Sequence, residues 1–106
     1  MSHYNKAIIE GNLTRDPEVL AGSNGNPFTK FTIANNVYGR EDANFFDCIA
    51  GGKRGEIIAQ HFTKGSGIQV DGRIVLQKWT DKDGNKRTSC QIEVQDFTFR
   101  GSKKDA

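Results

Sequence analysis

The sequence predicts an all-β barrel of five strands, with one short helix between the third and fourth. Three observations carry this. Short apolar runs alternate with polar residues at the two-residue period of half-buried strands. Glycine, asparagine and aspartate clusters punctuate them where a chain must turn. One stretch alone, "KRGEIIAQHFTKG", carries its apolar residues at helical spacing.

The elements follow in order. "AIIEGNL" (7–13) is the first strand, and the polar segment "TRDPEVLAGSNGNP" after it reads as a long loop. In "FTKFTIANNV" (28–37), Phe31 and Ile33 oppose Lys30 and Thr32, which makes the second strand. "GREDAN" breaks the pattern and "FFDCIAG" (45–51) resumes it. The helix is expected over 54–63: Ile58 and Phe62 lie four apart, Ile57 and His61 sit beside them, and Lys64 and Gly65 supply the stop. "IQVDGRIVLQKW" (68–79) and "RTSCQIEVQDFTFR" (87–100) are joined by "DKDGNK", a hairpin signal. Five strands with a helix between the third and fourth is the plan of the OB-fold, a partly open Greek-key barrel. It occupies residues 1–100 as one domain, and residues 101–106, "GSKKDA", form a short basic extension.

A chain of 106 residues with 35% hydrophobic and 26% charged content suits one small globular domain. No apolar run approaches the ~20 residues of a membrane span, and no signal-peptide pattern opens the chain, so a cytosolic location is expected. The net charge of +2 is uneven: residues 1–53 hold five Lys/Arg against six Asp/Glu, and residues 54–106 ten against seven. The basic second half hints at an acidic partner. Cys48 and Cys90 have no CxxC spacing; they read as reduced, small core residues, with a disulfide or a metal site as the alternatives.

Strand phase singles out Trp79, the only tryptophan. In 68–79 the even set, Ile68, Val70, Gly72, Ile74 and Leu76, is apolar and is expected to face the core. Trp79 belongs to the odd set, with Arg73 and Gln77. A bulge returning it to the core, a lid over the barrel end and a subunit interface all compete with a functional reading. That reading is a stacking platform for single-stranded nucleic acid, whose bases need π-faces and whose backbone needs cations. In "FFDCIA", Phe46, Cys48 and Ala50 share one face and Phe45, Asp47 and Ile49 the other. One phenylalanine therefore stands at a surface or an interface. In the fifth strand Phe97 and Phe99 fall out of phase with Cys90, Ile92 and Val94, which a bulge near Gln95 and Asp96 reconciles.

The chain resembles the bacterial single-stranded DNA-binding protein (SSB) family. "NKAIIEGNLTRDPEV" looks like its N-terminal signature, and "FTKFTIA", "FFDCIAGGK", "FTKG", "VDGRI", "KWTDKDGNKR" and "EVQDFTF" follow in the family's order over roughly residues 4–100. The resemblance implies an OB-fold assembled as a homotetramer with DNA over its outer surface. It implies stacking at Trp79 and Phe45, with a further aromatic near Tyr38, and backbone contacts from Lys6, Lys53, Lys64, Arg73 and Lys78. Local charge adds Arg54, Lys82, Lys86 and Arg87. Several positions depart from the family pattern. Gly51 stands where an aromatic is frequent, Asp47 where some members carry a cation, and Val75 and Gln77 where arginines occur. Family members usually continue to an acidic tip. This sequence stops at Ala106, like a trimmed or a naturally short phage- or plasmid-type relative, so tail-docked repair and replication partners are not expected for it.

The expected function is sequence-tolerant binding of single-stranded DNA in replication, recombination and repair, at the nucleoid, without catalysis, cofactor or metal. An OB-fold RNA-binding or protein-interaction module is the alternative. For an enzyme, the sequence offers only His3 and His61 as histidines, loop acids such as Asp16, Glu18, Glu41 and Asp42, and no Walker loop, nucleophile elbow or metal-ligand spacing.

Overall fold

The structure is a computed structural model that describes residues 3–102. The last four residues of the basic extension expected over 101–106 lie outside the described residues. Six strands and one helix form: β1 (Ala7–Leu13), β2 (Glu18–Ala21), β3 (Pro27–Asn35), β4 (Asn44–Gly51), α1 (Gly52–His61), β5 (Ser66–Thr80) and β6 (Lys86–Ser102). They make one sheet in the order β1-β5-β6-β4-β3-β2, which β1 closes by also pairing with β3 through Asn12 opposite Ala34 and Leu13 opposite Ile33. β4 and β6 run parallel and the other pairs antiparallel. This is the OB-fold barrel, with the helix after the third of the five expected strands.

The additional strand is β2, inside the segment expected to be a loop. Four residues are too few to show a period. Its pairing with β3, Glu18 opposite Lys30 through Ala21 opposite Pro27, forms because the Gly22–Asn26 turn folds the chain back. The helix begins two residues earlier than the sequence suggests. Gly52 adopts φ +61, a left-handed conformation open to glycine at little cost, so β4 turns into α1 without a loop. Phe62 is already extended and closes the helix, its N–H donating to the Ile58 carbonyl.

The core is formed by the inward residues of each strand and one helix face: Leu13, Phe31, Ile33, Cys48, Ile58, Phe62, Ile68, Val70, Ile92 and Val94 are buried. Thr29 packs among them, its hydroxyl donating to the Gly55 carbonyl at 2.9 Å and fixing α1 to β3. In β4 the predicted phase holds, with Cys48 and Ala50 buried and Phe46 packed on the core, while Phe45 is 66% exposed. The predicted bulge is also present. Asp71 pairs with Asp96 but Gly72 with Val94, leaving Gln95 as the extra residue that brings Phe97 back toward the core.

The core-facing expectation fails in the second half of β5. Ile68, Val70 and Gly72 are buried, but Ile74 is 42% and Leu76 61% exposed. At ~3.3 Å per residue, a 15-residue strand is far longer than the barrel wall. Beyond Gly72, β5 and β6 therefore leave the barrel as a two-stranded arm whose even-numbered face no described residue covers. Asn5 braces its base, accepting from the Ile74 N–H at 3.0 Å and donating to the Ile74 carbonyl at 2.8 Å.

The same geometry corrects the reading of the cysteines. Cys48 is buried, but Cys90 lies opposite Leu76 on the arm and is exposed; both are free thiols. Burial, with Asp47 alongside, pushes the Cys48 thiol up to about 12. A thiol reagent at pH 8 is expected to titrate one cysteine per folded chain, Cys90, and both after denaturation. Rapid reaction of both in the folded protein contradicts this burial.

Candidate nucleic-acid interface

Strand register joins the outward residues of four strands into one face. Asp47 lies opposite Thr32 on β3 and Gln91 on β6, and Gln91 lies opposite Val75 on β5. One pair along, Ile49 meets Lys30 and Glu93, and Glu93 meets Arg73. Because side chains alternate, Phe45, Asp47, Ser89, Gln91, Arg73, Gln77 and Trp79 share this face. β6 runs between β4 and β5, so the strands carrying Phe45 and Trp79 lie about 10 Å apart at ~4.8 Å per strand.

Trp79 stands on the arm, 50% exposed, opposite Arg87. Its indole N–H donates to the Ser89 hydroxyl at 2.9 Å. That bond satisfies the ring's polar edge against β6 and leaves a π-face free. Neither a core position nor a lid over the barrel describes this placement. The turn beyond it is organised by Asp81. One oxygen accepts from the Asp83 and Asn85 N–H groups at 3.0 and 2.9 Å, and the other from Arg87 Nε at 3.0 Å. The Asn85 N–H, then Arg87, hold the Asp81 carboxyl below its ordinary value. Gly84 supplies the φ +85 that the turn needs.

The sequence-predicted residues fall into groups. Phe45, Arg73, Trp79 and Arg87 come together on the outer face. Lys78 and Lys86 flank Trp79 in sequence or across the hairpin but point to the arm's other face with Leu76, and Lys82 sits in the turn. Lys6, at the start of β1, pairs with Asp71 at 3.1 Å. Lys53 and Arg54 lie on the first turn of α1, Arg54 beside Ile49 and Glu93. Lys64 is in the loop after the helix, where its N–H donates to Asp16 at 2.8 Å, and Tyr38 is fully exposed in the β3–β4 loop. Lys30, Thr32 and Gln91 join the face without having been singled out. Their outward phase was readable, but the register that lines them up beside Asp47 was not.

Four of the twelve candidates are engaged by carboxylates: Lys6 by Asp71, Lys53 by Glu56 at 3.7 Å, Arg73 by Glu93 at 2.9 Å and Arg87 by Asp81 at 3.0 Å. Exposed ion pairs are each worth ~0–1 kcal/mol, so a phosphate can exchange for any of these carboxylates at small cost. Among the described residues no cluster of three metal-ligating side chains occurs, and no helix is long and apolar enough to cross a membrane.

An OB-fold barrel with aromatic rings and cations exposed on one sheet face defines a binding module of the nucleic-acid-reading kind. The chain matches the profile of the Single-strand binding protein family over residues 4–100 and belongs to that family. It is 39% identical over 97 residues to the single-stranded DNA-binding protein of Clostridium perfringens, covering 90% of this chain and 65% of the relative. Similarity to the proteins of the same description from Wolinella succinogenes (36%, over 94% of this chain and 66% of the relative) and Thermotoga maritima (33%, over 97% and 78%) is comparable. The chain thus spans about two thirds of the length of its curated relatives.

Proposed function

We propose that this chain binds single-stranded DNA with little sequence preference, serving replication, recombination and repair at the nucleoid in the cytoplasm. One observation carries the reading most directly: two exposed aromatic rings, Phe45 and Trp79, on a single sheet face, with Arg87 opposite Trp79 and Arg73 further along the same face beyond Phe45. Bases stack on such rings whatever their identity, and each cation can replace counterions on a phosphate. Family membership supports the same reading. In this reading the protein acts by binding alone, since stacking and charge neutralisation require no turnover. Filter binding of oligo-dT across a salt series tests it. The logarithm of the affinity is expected to fall linearly with the logarithm of salt, by about 0.7 per neutralised phosphate. Salt-independent binding, or none, contradicts the proposal.

The assembly is a homotetramer in this reading. Ile8 on β1 is 55% exposed, and Ile74 and Leu76 add an apolar strip on the arm, more apolar surface than a small monomer usually displays. Light scattering at micromolar concentration is expected to give four times the mass of one chain, and a monomer there contradicts it.

A further inference from the structure

We infer that, within otherwise sequence-tolerant binding, Asp47 gives this face a modest preference for bases with an exocyclic amino group, so that cytosine is bound more tightly than thymine. The inference rests on the single-strand reading above. A carboxylate is out of place on a face meant for phosphates, which it repels. Its surroundings give it another use. Oδ1 accepts from the Thr32 hydroxyl at 2.9 Å, which fixes the group's orientation on the sheet. Among the described residues no cation lies within ion-pair distance of it. Oδ2 therefore keeps its accepting capacity, on a half-buried residue where solvent screening is reduced.

Asp47 and Phe45 are two residues apart on the same side of β4, about 7 Å along the strand. A base stacked on Phe45 thus turns one edge toward Asp47. The carboxylate also lines a groove of about 340 Å³ whose other walls include Arg15 and Lys30, cations suited to the flanking phosphates, together with Glu18 opposite Lys30. The two pyrimidines present the same ring to Phe45 but differ at positions 3 and 4, and in this inference Asp47 meets position 4 from the C5 side, away from the N3–H that thymine could otherwise donate. Cytosine offers its N4 amino group as a donor, and thymine the O4 acceptor, whose lone pairs face the carboxylate unfavourably. Gln91, on the other side of Asp47, both donates and accepts, so it serves either base and leaves the choice to Asp47.

The test is the ratio of dissociation constants for oligo-dC and oligo-dT of equal length, read from Trp79 fluorescence, for the unmutated protein and for Asp47→Asn. Oligo-dC is expected to bind about tenfold more tightly than oligo-dT, the scale of one good base-edge contact. In Asp47→Asn the ratio is expected to fall toward one, because the amide accepts from cytosine and donates to thymine, and the affinity for oligo-dT to rise as the repulsion is removed. Equal affinities, or tighter oligo-dT binding, in the unmutated protein overturn the inference without any variant having to fold. So does a ratio that the substitution leaves unchanged. Binding of both oligonucleotides without preference leaves the single-strand reading standing, whereas binding of neither removes that reading and the selectivity together.

Discussion

Trp79→Ala is expected to weaken oligo-dT binding by about 1–3 kcal/mol, roughly 5- to 150-fold, while leaving the thermal midpoint of the barrel unchanged. The size follows from what the ring does. Its N–H is held by Ser89 and half of its surface is open, so truncation removes a stacking surface and one exposed hydrogen bond but opens no cavity. Filter binding and thermal denaturation of the same preparation separate the two consequences. Trp79→Phe keeps a π-face and is expected to recover most of the lost affinity. A variant that binds normally but melts early, or loses its oligomeric state, shows that the ring is a packing or interface residue.

The reverse pattern is expected at Ile33. This side chain is fully buried, and it lies where β1 and β3 close the barrel, opposite Leu13. Ile33→Ala removes three methyl or methylene groups from a site that the two strands cannot collapse around. A loss of about 2–5 kcal/mol of stability is expected. Small domains have only ~5–15 kcal/mol in total, so the change will be plain in a denaturant melt. At low temperature, where the variant is still folded, affinity for oligo-dT per folded chain should match that of the unmutated protein. A stability loss below about 1 kcal/mol, or a weakened DNA affinity in the folded fraction, contradicts the division between core and face.

Individual residues show how much of this was legible in the sequence. The β4 alternation placed Cys48 inside and Phe45 outside, because side-chain direction is a local property of a strand. The bulge at Gln95 was legible for the same reason: Ile92, Val94, Phe97 and Phe99 cannot share one face without it. Length defeated the same argument in β5. Ile74 and Leu76 continue the period of Ile68 and Val70, yet the barrel wall ends at Gly72, and nothing local marks where a strand outruns its neighbours. β2 was missed because four residues carry no period and its pairing depends on β3. The candidate site was legible as a set of outward-facing or basic residues but not as an arrangement. Lys78 is next to Trp79 in sequence and on the opposite face in space, whereas Arg87, eight residues away, is its neighbour on the face. Only cross-strand register joins Phe45, Asp47, Arg73 and Trp79.

The claim that Trp79 is a base-stacking platform is tested most directly by its own fluorescence, since it is the single tryptophan. Titration with oligo-dT at low salt is expected to quench the emission saturably, and added salt to reverse the quench as the cations let go of the phosphates. Emission that stays unchanged while the oligonucleotide demonstrably binds would place the bases elsewhere and contradict the account.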